Sequence, residues 1–195
     1  MDREVHGEAR WRAHPEIFWG ELAPCEHAVQ MYEDEGALLD CLIGFVSSGL
    51  KRGEGVIVIA TNAHLRAVES RLGDVDLVAA QRENRYLPLD AREALSNFMV
   101  GDWPDEGLFY RFIGGVLRKA RGTSTRKVRA FGEMVALLWA QGHNGATVRL
   151  EHLWTELCQG SDLCLFCAYP RAGFTKNADV SIREICAAHS KIVAA

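Results

Sequence analysis

The run Val56-Ile-Val-Ile-Ala60 constrains the fold more than any other part of the chain. It is continuous, mostly β-branched and without a polar residue to face water. Such a run reads as a strand buried on both faces, as in the middle of a parallel sheet. Parallel neighbours must be joined by crossovers, which are usually helices. The flanks supply them. Ala37–Leu50 places Leu38, Leu39, Leu42, Ile43, Phe45 and Val46 at a helical period, and Gly49 and Gly53 stop it. Asn62–Leu72 reads as the next helix and closes at Gly73.

The same alternation runs through the rest of the chain. His27–Tyr32, Tyr86–Leu89, Val128–Phe131 and Leu163–Tyr169 are the other strand candidates. Helices are expected over Asp90–Val100, Glu106–Arg121, Val135–Gln141, Ala146–Gln159 and Ser181–Val193. Asp90 is placed to cap the first of these, with Glu93 three residues on as in a capping box. Asp74–Arg85 reads as a polar connection, and Gly101–Asp105 as a loop that exposes Trp103. The expected fold class is α/β, in three layers, with a mostly parallel central sheet and helices on both faces. Residues 1–24 form a polar leader expected to dock through Trp11, Phe18 and Trp19, and residues 25–195 form the domain itself.

Composition narrows the function. The formal net charge is −4, so no basic excess exists for phosphate contacts, and direct nucleic-acid binding is not expected. The longest apolar runs are far too short to cross a bilayer, and Met1-Asp-Arg-Glu-Val-His6 lacks the apolar core of a secretory signal. A cytoplasmic location without membrane attachment is the expectation. The six cysteines are not needed as a disulfide framework in a chain of this size. Cys164-Leu-Phe-Cys167 has a metal or redox spacing, but it lies in an apolar run that reads as a strand, where positions three apart face opposite sides. Buried structural thiols are the favoured reading, and a redox or metal role is the alternative.

In an open parallel sheet, ligands bind beyond the carboxyl ends of the strands. The turn after Ile59 is where a nucleotide-binding α/β protein carries its phosphate loop. That loop needs glycines, then Lys and Ser/Thr. Here the residues are Ala60, Thr61, Asn62, Ala63 and His64, so nucleotide hydrolysis is not expected. The strand ends offer Tyr32, Thr61, Asn62, His64, Asp90, Glu133 and Tyr169 as ligand-binding candidates. Glu133 is the sharpest, as ligand anchor or as a carboxylate favoured by a helix N-terminus. Asp90 has the helix cap as its plainer role, and His64 has an exposed first helical turn. Arg129, inside a strand, needs a partner, for which Glu133 or Glu151 are at hand. Trp139 and Trp154 fall on apolar helical stripes and read as core, whereas Trp103 is a candidate lid. Catalytic signatures are absent: there is no GxSxG elbow and no HExxH, and Cys25-Glu-His27 has no evident oxyanion donor. No cofactor and no catalytic residue are expected.

Several segments carry a resemblance when taken in order: His27-Ala-Val-Gln-Met-Tyr-Glu-Asp34, Gly55-Val-Ile-Val-Ile-Ala-Thr-Asn-Ala-His64, Tyr86-Leu-Pro-Leu-Asp-Ala91 and Val128-Arg-Ala-Phe-Gly-Glu-Met-Val-Ala-Leu-Leu-Trp139. Leu150-Glu-His-Leu-Trp154, Cys167-Ala-Tyr-Pro170 and His189-Ser190 complete the set. Over about residues 25–193 the chain resembles the MEDS family, the methanogen and methylotroph, DcmR-like sensory domains. The resemblance implies a degenerate relative of RecA-like ATPases, without a functional phosphate loop, that senses small hydrocarbon derivatives in bacterial signalling. Such domains often accompany histidine kinases or DNA-binding domains, and neither is evident within these 195 residues. The expected function is therefore a non-enzymatic sensor that binds a small organic ligand and acts through a signalling protein such as a histidine kinase, an anti-sigma factor or a transcription regulator. A second copy of the chain is a further candidate partner. The alternatives are a thiol- or metal-based redox sensor using Cys164 and Cys167, and a residual nucleotide binder.

Overall fold

A computed structural model of the chain describes residue 19 and residues 26–123, 126–174 and 178–193. In chain order the first half comprises β1 (His27–Tyr32), α1 (Glu35–Lys51), β2 (Gly55–Ala60), α2 (Asn62–Arg71), α3 (Leu77–Arg82), β3 (Tyr86–Asp90), α4 (Ala91–Ser96), β4 (Met99–Val100) and β5 (Trp103–Pro104). It continues with α5 (Glu106–Arg121), β6 (Val128–Gly132), α6 (Met134–Ala140), α7 (Asn144–Gln159), β7 (Leu163–Pro170), α8 (Ala178–Ala187) and β8 (Lys191–Val193).

Six strands form one sheet in the order β3-β2-β6-β7-β1-β8, and every pairing in it is parallel. The run Val56–Ala60 lies in β2, an inner strand between the edge strand β3 and β6, and all of its residues are buried. Its alternate side chains feed two separate cores. Val56, Val58 and Ala60 join Phe131, Phe166 and Ala168 beneath α1 and α2. Ile57 and Ile59 join Val29, Ala130, Leu165 and Cys167 beneath α4, α5, α6 and α7. The expected three-layer α/β architecture with a parallel sheet is therefore present.

Four expectations need correction. Asp74–Arg85 is not a plain connection, because it contains α3, whose N-terminus is capped by Asp76 accepting from the Ala79 N–H at 2.9 Å. The helix expected over Asp90–Val100 ends at Ser96, and Met99–Val100 pairs with Trp103–Pro104 in a small antiparallel hairpin across Gly101, whose φ is +60°. The terminal segment is not one helix. It turns after Ala187, and Lys191–Val193 returns to the sheet edge beside β1. Arg129 pairs with neither Glu133 nor Glu151. Its guanidinium meets Glu54 at 2.6 Å, donates to the Phe45 carbonyl at 2.9 Å and sits over the Phe45 ring. This arrangement requires Gly49, since a Cβ there would lie 2.6 Å from Arg129 Cδ.

Trp19 is buried, with its ring against Phe45 and Phe166 at centroid distances of 5.0 and 4.8 Å. Trp11, Phe18 and Cys25 lie outside the described residues. Trp154 is a core residue set edge-on to Phe109, and Trp139 donates from its indole N–H to the Gly173 carbonyl at 3.0 Å. Among the described residues no helix is long and apolar enough to cross a membrane.

Candidate functional site

The chain leaves β2 into α2 on one face of the sheet and leaves neighbouring β6 into α6 on the other. Divergence of this kind opens a crevice at the carboxyl ends, the usual ligand position in such sheets. Thr61 follows β2 and Glu133 follows β6, so both stand at its mouth. Glu133 occupies the N-cap position of α6 yet makes no side-chain cap bond there. Its carboxylate crosses to the other strand and accepts from the Thr61 N–H at 2.8 Å. An internal anion thus holds a backbone N–H at the α2 N-terminus, where a phosphate loop would hold phosphate. Thr61 itself caps α2, its hydroxyl facing the His64 N–H at 3.4 Å.

His64 is buried in the first turn of α2, and each ring nitrogen meets a carboxylate. Nδ1 lies 2.9 and 3.0 Å from the two oxygens of Glu133, and Nε2 lies 2.7 Å from Glu35 Oε1. Carboxylates accept, so both nitrogens donate and the ring is an imidazolium. The hydrogen bond to Glu133 dominates in holding the His64 pKa up at about 9, with Glu35 adding to it and burial opposing. The two carboxylates differ in access: the Glu35 side chain is 69 % exposed and that of Glu133 only 8 %. Tyr32, at the end of β1, keeps its phenol proton. Burial first, and then the charges of Glu133 and Glu35, push its pKa to about 12. Gly132 is buried, yet a Cβ there would meet no atom within 4 Å, so its role is not to permit a close approach; it leaves space beside the crevice.

Of the sequence candidates, Tyr32, Thr61, His64 and Glu133 therefore come together. Asn62 is exposed on the first turn of α2. Asp90 serves as the cap of α4, accepting from the N–H groups of Arg92 and Glu93 at 2.9 and 3.0 Å. Trp103 is 53 % exposed and its ring lies beside Gly145 on α7. Tyr169 points into the opposite core, where its hydroxyl donates to Glu151. Glu35 was missed because it reads as part of an acidic turn, whereas it begins α1.

Tyr169 belongs to a second cluster on the α7 side of the sheet. His27, Glu151, Cys167 and His189 each offer one ligand-type atom there, all within 4.8 Å of one another. His27 Nε2 is 3.4 Å from Cys167 Sγ and 3.4 Å from Glu151 Oε2, and His189 Nε2 is 3.4 Å from the same Oε2. Burial, together with the facing His189, lowers the His27 pKa to about 4. Burial pushes the Glu151 carboxyl up, but the facing His189, His27 and Tyr169 outweigh it and leave it below the usual range. Burial also drives the Cys167 thiol well up. Cys164 lies against the other core, so the CxxC pair does not share a face. The signal that could have exposed this cluster is Glu151 itself, a carboxylate between core positions Leu150, Leu153 and Trp154 on a helix that packs against the sheet.

The fold is a parallel α/β domain in which a carboxylate–histidine pair stands at the carboxyl ends of β2 and β6. The chain belongs to the MEDS family: the model of the methanogen/methylotroph, DcmR sensory domain matches residues 26–190. The role of the family is sensory. No match among curated proteins was found.

Proposed function

We propose that this domain is a non-enzymatic sensor whose ligand is a small oxygen-bearing organic molecule, a hydrocarbon derivative, received at the crevice between β2 and β6. The observation that carries this reading is the His64 bridge, with one buried carboxylate behind the ring and one exposed carboxylate in front. Only Glu35 can leave for water at little cost. The molecule that replaces it must accept a hydrogen bond from the His64 Nε2–H, which calls for a hydroxyl, carbonyl or carboxylate oxygen. The space beside Gly132 and the Tyr32 hydroxyl add room and a second polar contact. A non-catalytic role fits the protonation state, since an imidazolium held between two carboxylates is a poor general base.

Signalling follows through α1. Glu35 is its first residue, and a groove of about 340 Å³ runs along the same helix past Asp40, Ile43, Ser47 and Lys51, with Leu72 and Val75 opposite. Release of Glu35 changes how the start of α1 is held, and a partner such as a histidine kinase, an anti-sigma factor or a transcription regulator reads the shift. The ligand acts only so far as it prefers the released state.

The test is thermal-shift screening and calorimetry with short alcohols, carbonyl compounds, carboxylic acids and halogenated hydrocarbons. A ligand should stabilise the wild type, Glu35→Ala should bind it at least as well, and His64→Ala should lose about tenfold or more in affinity. The reading fails if no compound binds, or if His64→Ala binds as the wild type does.

A further inference from the structure

We infer that His27, Glu151, Cys167 and His189 form a closed binding site for one divalent transition-metal ion, with Zn²⁺ the best match. His189 Nδ1 lies 2.6 Å from the Ile185 carbonyl, which can only accept, so Nδ1 carries a proton. The Thr155 hydroxyl donates to the Glu151 carbonyl at 2.9 Å, so toward His27 Nδ1, 3.2 Å away, it can only accept. His27 therefore also carries its proton on Nδ1. The neutral His27 ring then turns its Nε2 lone pair inward onto Glu151 Oε2 and Cys167 Sγ. His189 faces the same carboxylate, and Glu151 outweighs burial to raise its pKa, so a proton leaves its Nε2 when an ion binds. His189 Nε2 is buried and has no hydrogen bond of good geometry, only the 3.4 Å approach to Glu151.

Electron-rich atoms converging in this way suit a cation. Tetrahedral zinc, with bonds of about 2.0–2.3 Å, places neighbouring ligand atoms about 3.3–3.7 Å apart. Three of the separations here are 3.4 Å, and Cys167 Sγ to Glu151 Oε2 is 4.0 Å. The surroundings are also those of a metal site, where each ligand is fixed from behind by another hydrogen bond. Thr155 orients His27, the Ile185 carbonyl orients His189, and the Tyr169 hydroxyl holds the second oxygen of Glu151. Charge balances as well. A dication with one thiolate, one carboxylate and two neutral imidazoles is neutral overall, as burial demands. The mixed sulfur, nitrogen and oxygen donors favour zinc over calcium or magnesium.

Binding is an exchange without redox change. The ion forms bonds to Sγ, to one Glu151 oxygen and to the two Nε2 atoms. The Cys167 thiol proton, and any proton on His189 Nε2, pass to solvent. Four protein ligands leave no open position, so the ion is structural. It ties β1, β7, α7 and the turn before β8 together, on the face of the sheet opposite His64. Loss of metal is therefore separable from loss of ligand binding at the crevice.

The experiment is metal analysis of the full chain produced in Zn²⁺- or Co²⁺-supplemented medium, and again after refolding with excess Co²⁺. The expected result is about one ion per chain, with a thiolate-to-cobalt absorption band and tetrahedral visible bands. Cys167→Ser should abolish the thiolate band and Glu151→Gln should lower metal content, while Cys164→Ser should change neither. Absence of bound metal under both conditions overturns the site, as does a cobalt spectrum that survives Cys167→Ser or disappears in Cys164→Ser.

Discussion

The two histidine–carboxylate clusters lie on opposite faces of one sheet and use the same side chains to opposite ends. His64 has a carboxylate for each ring nitrogen, and one of those carboxylates reaches water. Its charge is supported twice, and its pKa stands at about 9. His27 shares the buried Glu151 with a second histidine, under core that excludes water. Its charge is opposed by burial and by His189, and its pKa falls to about 4. The ratio of carboxylates to histidines, together with access, sets the chemistry. Two carboxylates around one ring keep a proton in place and leave a replaceable partner. One carboxylate shared by two rings supports the charge of only one of them: Glu151 raises the His189 pKa while His27 stays neutral with its lone pair facing inward.

Deleting the carboxylate from each cluster should separate the two most. Glu151→Ala removes the group that His27, His189 and Tyr169 all face, at a buried site. It should cost about 3–5 kcal/mol, the usual penalty for breaking a buried charged network. Glu133→Ala should cost less, about 1–3 kcal/mol, because Glu35 remains on His64 and the crevice is open on that side. Urea unfolding followed by tryptophan fluorescence measures both. A larger loss from Glu133→Ala than from Glu151→Ala would show that the open cluster, and not the closed one, holds the fold.

The sequence made the open cluster legible and hid the closed one, for a geometric reason. Thr61, His64 and Glu133 follow strand ends directly, and a parallel sheet brings its strand ends together whatever the details of packing. Glu151 and His189 sit inside or after helices, and His27 begins a strand. Their meeting depends on how α7 seats on β1 and β7 and on how the chain returns as β8, which hydrophobic periodicity does not specify. The spacing of Cys164 and Cys167 does not make a pair, since a strand sends them to opposite cores, and of the two it is Cys167 that reaches the closed cluster. Asp90 and Tyr169 were placed at strand ends correctly, but their directions were not. One turns back to cap its own helix and the other turns into the α7 side. The short α3 and the β4–β5 hairpin escaped for a different reason, being too brief to show a period.

A smaller effect lies in pH. The folded-state pKa of His64 is raised above the ordinary 6.5 to about 9. A raised histidine adds stability that is complete below about pH 6.5 and is lost as pH climbs through about 9. The groups facing it are Glu133, Glu35 and Tyr32, and Tyr32 titrates only at about 12, above that window. Melting temperature measured from pH 6 to 10 should therefore fall more steeply in the wild type than in His64→Gln. Parallel curves would mean that the ring is not held as an imidazolium.

The smallest expected effect discriminates most finely between the two carboxylates on His64. Glu35 is mostly exposed, so Glu35→Ala should change stability by no more than about 1 kcal/mol, as for other surface ion pairs. It should still lower the His64 pKa, because Glu35 contributes to the rise, but by less than Glu133→Gln, since the hydrogen bond to Glu133 is the leading cause. An NMR titration of the His64 ring in the two variants ranks them directly. If Glu35→Ala alone returns His64 to the ordinary range, the ring is anchored at its exposed side. A ligand displacing Glu35 would then discharge the histidine instead of inheriting its hydrogen bond, and oxygen acceptors would lose their advantage over apolar molecules at this crevice.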